Sequence, residues 1–175
     1  NEKDRSLSLF GTDLDKVEEH FGNVYSTTYK GSFAEYAQAQ RHRTLYYQLE
    51  ILDEKEYFIP PIILDDPLLV EEWLHDMNVV RDVYPQGELV RISEMGTYDN
   101  FILKCQERLC AAAQLEIMRE TRETLLRYQE ALEEKGHPLA HDIKKYTRGA
   151  RCTFPNFNCP SRCGFKEGID LSRRI

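Results

Sequence analysis

Apolar positions in this chain recur mostly at helical spacing, and only briefly at the two-residue spacing of strands. Residues 12–21 read as a short helix, capped by Thr12 or Asp13, with Leu14, Val17 and Phe21 on one face. Residues 23–31 form a connection rich in tyrosine and threonine that can be extended. Ser32 with Glu35 three residues on is a capping box, in which each side chain satisfies a backbone N–H of the first helical turn. A helix is expected from there through Arg41-His42-Arg43 to about Leu49. Tyr57-Phe58-Ile59-Pro60-Pro61 breaks the helical pattern and reads as extended. Asp66-Pro67 is a second helix start, with an acidic cap and proline at the first helical position.

Leu69, Val70, Trp73, Leu74, Met77 and Val80 then make an apolar stripe. Tyr84-Pro85-Gln86-Gly87 is a turn, and residues 88–93 alternate weakly, as a short strand or the lead-in to a helix. The longest helical stretch covers residues 97–135, with Phe101, Ile102, Cys105, Leu109, Ile117, Leu125, Tyr128 and Leu132 in register. A bend is expected near residues 109–111, because so long a straight helix is unusual in a compact domain. Gly136 and Pro138 end it. The prediction is a helix-rich α/β (α+β) domain over residues 1–147. A tail rich in Cys, Pro, Gly and Asn, residues 148–175, packs on it.

The chain of 175 residues is long enough for a sizeable core. Its 30 acidic against 23 basic residues, a formal charge of -7, argue against a general nucleic-acid surface but leave room for a local basic pocket. No apolar run reaches membrane-helix length, and the start shows no signal-peptide pattern, so no membrane partner is expected. The first residue is Asn1, which suits a fragment or a processed piece. Five cysteines, an odd number, point to a reducing, cytoplasmic setting with metal binding or burial as their role.

Three arginines border apolar elements: Arg41 in the triplet, Arg81 after the Trp73 stripe, and Arg108 in the long helical stretch. An arginine on an apolar stripe must meet an anion or reach water. Three separate salt bridges and one bound phosphate or carboxylate both satisfy that requirement. Gln38, three residues before Arg41, falls on the same helical face and can contact a ligand held there, or simply be solvated. His42 between two cations stays neutral if partly buried. Cys152, Cys159 and Cys163, with His141 upstream, supply a set of the composition of a structural zinc site, although C-x6-C-x3-C is no standard finger; three reduced thiols are the alternative.

Gln38-Ala39-Gln40-Arg41-His42-Arg43 followed by Phe58-Ile59-Pro60 resembles the signature region of flavin-dependent thymidylate synthases (the ThyX family). Val80-Arg81-Asp82-Val83-Tyr84-Pro85 is similar to the family's A-R-x-V-L-P turn. Arg108 with Ala113-Gln114-Leu115-Glu116-Ile117 is similar to its L-R-x5-A-Q-W-E-I helix, and the cysteines of the tail resemble the C-terminus of some members. The resemblance implies a homo-oligomer, dimer or tetramer, or a second such domain, with sites between subunits. It implies FAD as cofactor and NADPH as reductant. A methylene passes from methylenetetrahydrofolate to dUMP, giving dTMP. Gln38, Arg41, Arg81 and Arg108 match positions that hold dUMP, and Arg41, His42 and Arg43 match flavin contacts.

The signature R-H-R-x-x-S-x-N-x-x-S-x-R-Y is not completed. Tyr46, Gln48, Ile51, Asp53 and Glu54 stand at its serine, asparagine, serine, arginine and tyrosine. Thr97, Asp99 and Leu103 occupy later flavin positions, and the part before the triplet is shorter than the family's. The resemblance therefore implies a member with a diverged catalytic loop, or one half of a tandem form. A non-catalytic nucleotide-binding or assembly module stapled by zinc is the other reading.

Overall fold

Residues 89–97 alternate between buried and open positions: Val90, Ile92, Glu94 and Gly96 are buried, and Arg91 between them is exposed. This strand is the middle of a three-stranded antiparallel sheet in a computed structural model that describes residues 24–160, Cys163, Leu171 and Ser172. The expected helix over residues 12–21 lies outside the described residues. The strands are β1 (Val24–Ser32), β2 (Tyr46–Ile51) and β3 (Leu89–Thr97), in the order β1-β3-β2. β1 pairs with β3 from Val24↔Thr97 to Ser32↔Leu89, and β2 from Tyr46↔Met95 to Ile51↔Val90. Paired residues share a face, so Tyr25, Tyr29, Gly31, Tyr47, Leu49, Val90, Ile92, Glu94 and Gly96 form one surface.

Helix α1 (Phe33–Ala39) lies on that surface: Phe33 and Tyr36 pack with Tyr47 and Leu49 around buried Tyr29, Val90 and Ile92. Each fully buried aliphatic side chain there contributes roughly 1.5–3 kcal/mol. The opposite face meets solvent, where Arg91 pairs with Glu50 at 2.8 Å.

α1 begins with one half of the expected capping box, Ser32 accepting from the Glu35 N–H at 3.1 Å while the Glu35 carboxylate makes no return hydrogen bond to the Ser32 N–H, and it stops at Ala39 instead of running to Leu49. Turn hydrogen bonds follow, His42 N–H to the Ala39 carbonyl at 2.9 Å and Leu45 N–H to that of His42 at 3.0 Å. The sequence Tyr-Tyr-Gln-Leu-Glu-Ile then pairs with the open edge of β3. A ladder of hydrogen bonds outweighs a helical propensity worth tenths of a kcal/mol per residue.

Helix α2 (Pro67–Val79) is capped as read, Asp66 accepting from Leu68 N–H at 3.0 Å and Leu69 N–H at 3.3 Å. Its stripe is only half used. Trp73, Leu74 and Met77 are partly buried, whereas Leu68, Leu69, Val79 and Val80 are exposed. Trp73 donates its indole N–H to the Phe58 carbonyl at 2.9 Å.

The described residues divide into two compact units, one ending at Thr97 and the other beginning at Tyr98. In the second unit the long helical stretch is broken, not bent, into α3 (Tyr98–Arg108) and α4 (Leu115–Glu134), followed by α5 (Leu139–Ile143). Phe101, Cys105, Leu109, Ile117, Met118, Leu125 and Ile143 are buried. α4 closes on Gly136, whose φ of 61° suits glycine; Gly136 N–H reaches the Glu133 carbonyl and His137 N–H that of Leu132, both at 2.9 Å. Described residues just after 148 pack on this unit: Arg151 N–H bonds the Leu109 carbonyl at 2.7 Å, and buried Phe154 meets the Tyr146 ring at 5.1 Å. The described chain is thus a mixed α/β protein, rich in helix, and none of its described helices is long and apolar enough to cross a membrane.

Gly31 is the tightest point under α1. A Cβ there would stand 2.9 Å from Ile92 Cδ1 and would collide with the Glu35 carboxylate. Gly31→Ala is expected to cost about 1–3 kcal/mol, as overpacking does. A lower urea midpoint at an unchanged slope in chemical denaturation checks this; an unchanged midpoint refutes the packing described.

Candidate functional site

The triplet Arg41-His42-Arg43 lies in the turn between α1 and β2, not on a helix. Arg41 and Arg43 are exposed and His42 is half-buried. Leu45, buried behind the turn, covers Gly96 on the central strand and fixes the turn to the end of the sheet. Among the described residues, neither the Arg41 nor the Arg43 side chain has a hydrogen-bond or ion-pair partner. Gln38 sits one turn back, its carbonyl accepting the Arg41 N–H at 3.4 Å. The structure therefore brings Gln38, Arg41, His42 and Arg43 together at one corner of the sheet.

It treats the other two arginines differently. Arg81 is in a 3-10 turn (Arg81–Val83), exposed, and pairs with its neighbour Asp82 at 3.5 Å. Its carbonyl accepts from Lys55 Nζ at 2.5 Å, and Lys55 also reaches buried Glu88 at 3.1 Å. Arg108 is the last residue of α3, in the second unit, half-buried and already engaged.

Four residues beyond Arg43, Tyr47 stands opposite Glu94 in the β2–β3 pairing. Glu94 is 1% exposed and accepts from the Tyr25 hydroxyl and, at 3.1 Å, from the Tyr29 hydroxyl. Glu35, also 1% exposed, approaches from α1. Burial first, then the charges of Glu94 and Glu35, push the Tyr29 hydroxyl well above the ordinary tyrosine range. Tyr29 therefore donates a hydrogen bond and does not serve as a base. This cluster was not among the residues singled out from the sequence. Its signal was present: Tyr25, Tyr29 and Glu94 fall on the buried parity of their strands, but only the register shows that they meet.

A second buried charge sits in the helical unit. Lys104 is 1% exposed on α3, and its charge faces Glu120 of α4. Glu120 also accepts from Thr124 Oγ1 and Arg127 Nη2, both at 3.0 Å. Desolvation dominates and raises its carboxyl despite these partners. The reasoning that singled out Arg108, a cation on an apolar stripe, applies with more force to Lys104, between Phe101 and Cys105.

Cys152 and Cys163 are exposed, Cys159 is half-buried, and His141 is exposed. No group of three or more His, Cys, Asp or Glu able to hold a metal ion occurs among the described residues. The set Cys152, Cys159, Cys163 and His141 is thus not assembled into a zinc site here.

Comparison with protein-family models gives no match, and comparison with curated proteins gives none.

The Tyr29 shift sets a pH dependence. A raised folded-state value stabilises fully below the ordinary tyrosine range, near pH 10, and the gain is lost as pH climbs above it. There the unfolded chain releases the Tyr29 proton and the folded one retains it. Tyr98, held by burial and by Asp142 at 2.8 Å, moves in the same direction. Urea midpoints of the wild type are expected to fall from about pH 9 to about pH 11, and Tyr29→Phe with Tyr98→Phe flattens that fall. Parallel curves for the two proteins would contradict the buried-hydroxyl account.

Proposed function

We propose that this chain is a diverged relative of the flavin-dependent thymidylate synthases, holding a pyrimidine nucleoside monophosphate, dUMP or a close analogue, together with FAD at the Arg41-His42-Arg43 turn. The supporting observation is the state of that turn. Two exposed guanidiniums have no partner among the described residues, in a chain with seven more acids than bases. Surface arginines in so acidic a protein ordinarily find carboxylates; two that do not are available to an external anion.

The residues present suit both groups. Arg41 and Arg43 carry charge for a nucleotide phosphate or a flavin pyrophosphate, Gln38 adds an amide for a base, and half-buried His42 adds a ring for hydrogen bonding. FAD, when bound, supplies hydride chemistry, with NADPH as its source and methylenetetrahydrofolate as methylene donor. The chain's own part is to position the nucleotide and neutralise its phosphate. Arg81 and Arg108 belong to this proposal through the family resemblance, as does a second copy of the chain or a second such domain to complete the site.

One observation favours binding without turnover. Tyr46, Gln48 and Ile51, which stand where the signature has serine, asparagine and serine, lie in the paired strand β2, and Asp53 and Glu54 follow in a bend. Two carboxylates there repel a phosphate.

A thermal-shift measurement with dUMP and FAD, alone and together, tests the proposal. At a concentration about 100 times Kd a ligand stabilises by about 2.7 kcal/mol, a shift of several degrees. The Arg41→Gln, Arg43→Gln double variant is expected to lose it. No shift with either ligand, or an undiminished shift in the double variant, overturns the assignment. dUMP-dependent NADPH oxidation with dTMP formation separates catalysis from binding alone.

A further inference from the structure

Helix α2 is packed on one side only. Val70, Trp73, Leu74 and Met77 are half-buried, and no residue of the helix is fully buried. On the other side Leu68, Glu72, His75 and Val79 follow one another at steps of four, three and four residues. Those are the steps of a coiled-coil seam, about 16 Å long here. All four side chains are exposed, Leu68 at 76% and Val79 at 69%. Eight of the ten exposed large apolar side chains among the described residues lie between residues 62 and 84, so the apolar surface is gathered on this helix and its two flanks. Together they expose on the order of 800 Å2, more than an ordinary surface patch and close to one partner's share of a standard interface.

The order of residues along the seam selects what fits it. Run in the opposite direction, the series matches itself: Leu68 stands opposite a second copy's Val79, and Glu72 opposite its His75. Apolar then meets apolar, and an imidazole N–H donates to a carboxylate whether the ring is neutral or charged. Neither Glu72 nor His75 has a hydrogen-bond or ion-pair partner among the described residues. A parallel pair would instead set Glu72 against Glu72, which repels. The two ends of the helix agree with the antiparallel alignment. Asp66 uses only Oδ1 for its two capping hydrogen bonds, and Arg81 is exposed, with a contact of 3.5 Å to Asp82. An antiparallel pair brings the Asp66 end of one copy to the Arg81 end of the other, and Leu64 to Val83. Glu71 and Asp76 fall at the rim of the seam, where charge is solvated.

We propose that α2 is a self-association surface. Two copies of this chain pair through it, antiparallel about a two-fold axis at the level of Trp73 and Leu74, with layers Leu68–Val79 and Glu72–His75. The pairing uses the first unit alone and does not depend on nucleotide binding at residues 41–43.

Sedimentation equilibrium of the full chain tests it. Interfaces of this size hold with Kd in the micromolar range or tighter, so a dimer is expected over about 1–100 µM. Leu68→Glu and Val79→Glu, at positions exposed within one copy, are each expected to raise Kd at least about a hundredfold, because they bury a charge in an apolar layer. Charge reversal tests the orientation. Glu72→Lys sets a cation against His75, and His75→Glu sets two carboxylates together. Each alone is expected to weaken the pair about tenfold, and the double variant, which restores opposite charges only in the antiparallel alignment, to recover most of the loss. If another surface also joins copies, Leu68→Glu is expected to lose one step of assembly. The same association is expected in the Arg41→Gln, Arg43→Gln background. A wild-type monomer at about 100 µM overturns the proposal. If Leu68→Glu lowers the urea midpoint of that monomer, a segment of this chain covers the face instead. Undiminished association of Leu68→Glu also overturns it, as does a double variant that pairs no more tightly than the single ones.

Discussion

A carboxylate in the middle of a sheet has to be compensated where it stands. Glu94 is on the central strand, facing the helix-covered side, with almost no contact with water. Leaving such a group unsatisfied costs several kcal/mol, and two tyrosine hydroxyls from β1 meet that demand. A shift of the β1–β3 register by one residue would turn Tyr25 and Tyr29 to the solvent face and strand the charge. The polar cluster therefore selects the register, and the register in turn sets which residues α1 covers. Hydrophobic contact among Tyr29, Val90 and Ile92 stabilises the same arrangement without specifying it so narrowly.

The basic turn follows from that arrangement. Once β2 occupies the second edge of β3, the chain has only residues 40–45 in which to leave α1 and reverse direction. Leu45 is buried against Gly96, so the polar residues before it point outward. Arg41 and Arg43 are consequently displayed at a fixed corner of the sheet instead of on opposite sides of a helix. On a helix, 200° between them would have prevented common use by one ligand. In a turn that restriction is lifted.

The helical unit manages charge differently. Lys104, Glu120 and Arg127 form a chain of opposite charges along α3 and α4, with Thr124 completing the coordination of Glu120. α4 is thus divided lengthwise. One face buries Ile117, Thr121, Thr124, Leu125 and Leu132, while another presents Arg119, Arg122 and Leu126 to a cavity. Arg127 is drawn to Glu120 and Glu123, and Arg122 has no hydrogen-bond or ion-pair partner among the described residues.

Local signals in the sequence determined the ends of elements. The caps Ser32 and Asp66, the proline at the start of α2 and the glycine closing α4 act within a few residues, where backbone groups demand a specific neighbour. The helical stripe through Phe101, Ile117 and Leu125 was equally legible, because periodicity is a property of the chain alone. Local propensity misled over residues 40–51, where the partner strand is some forty residues away and decides the conformation. The same applies to the candidate sites. The Arg41-His42-Arg43 triplet could be read in the sequence, but its place in a turn could not. Glu94 with Tyr25 and Tyr29, and Lys104 with Glu120, became sites only when distant segments met. Residue type and spacing set what each group can do; burial and register, which belong to the tertiary structure, decide which groups face one another and what charge they feel.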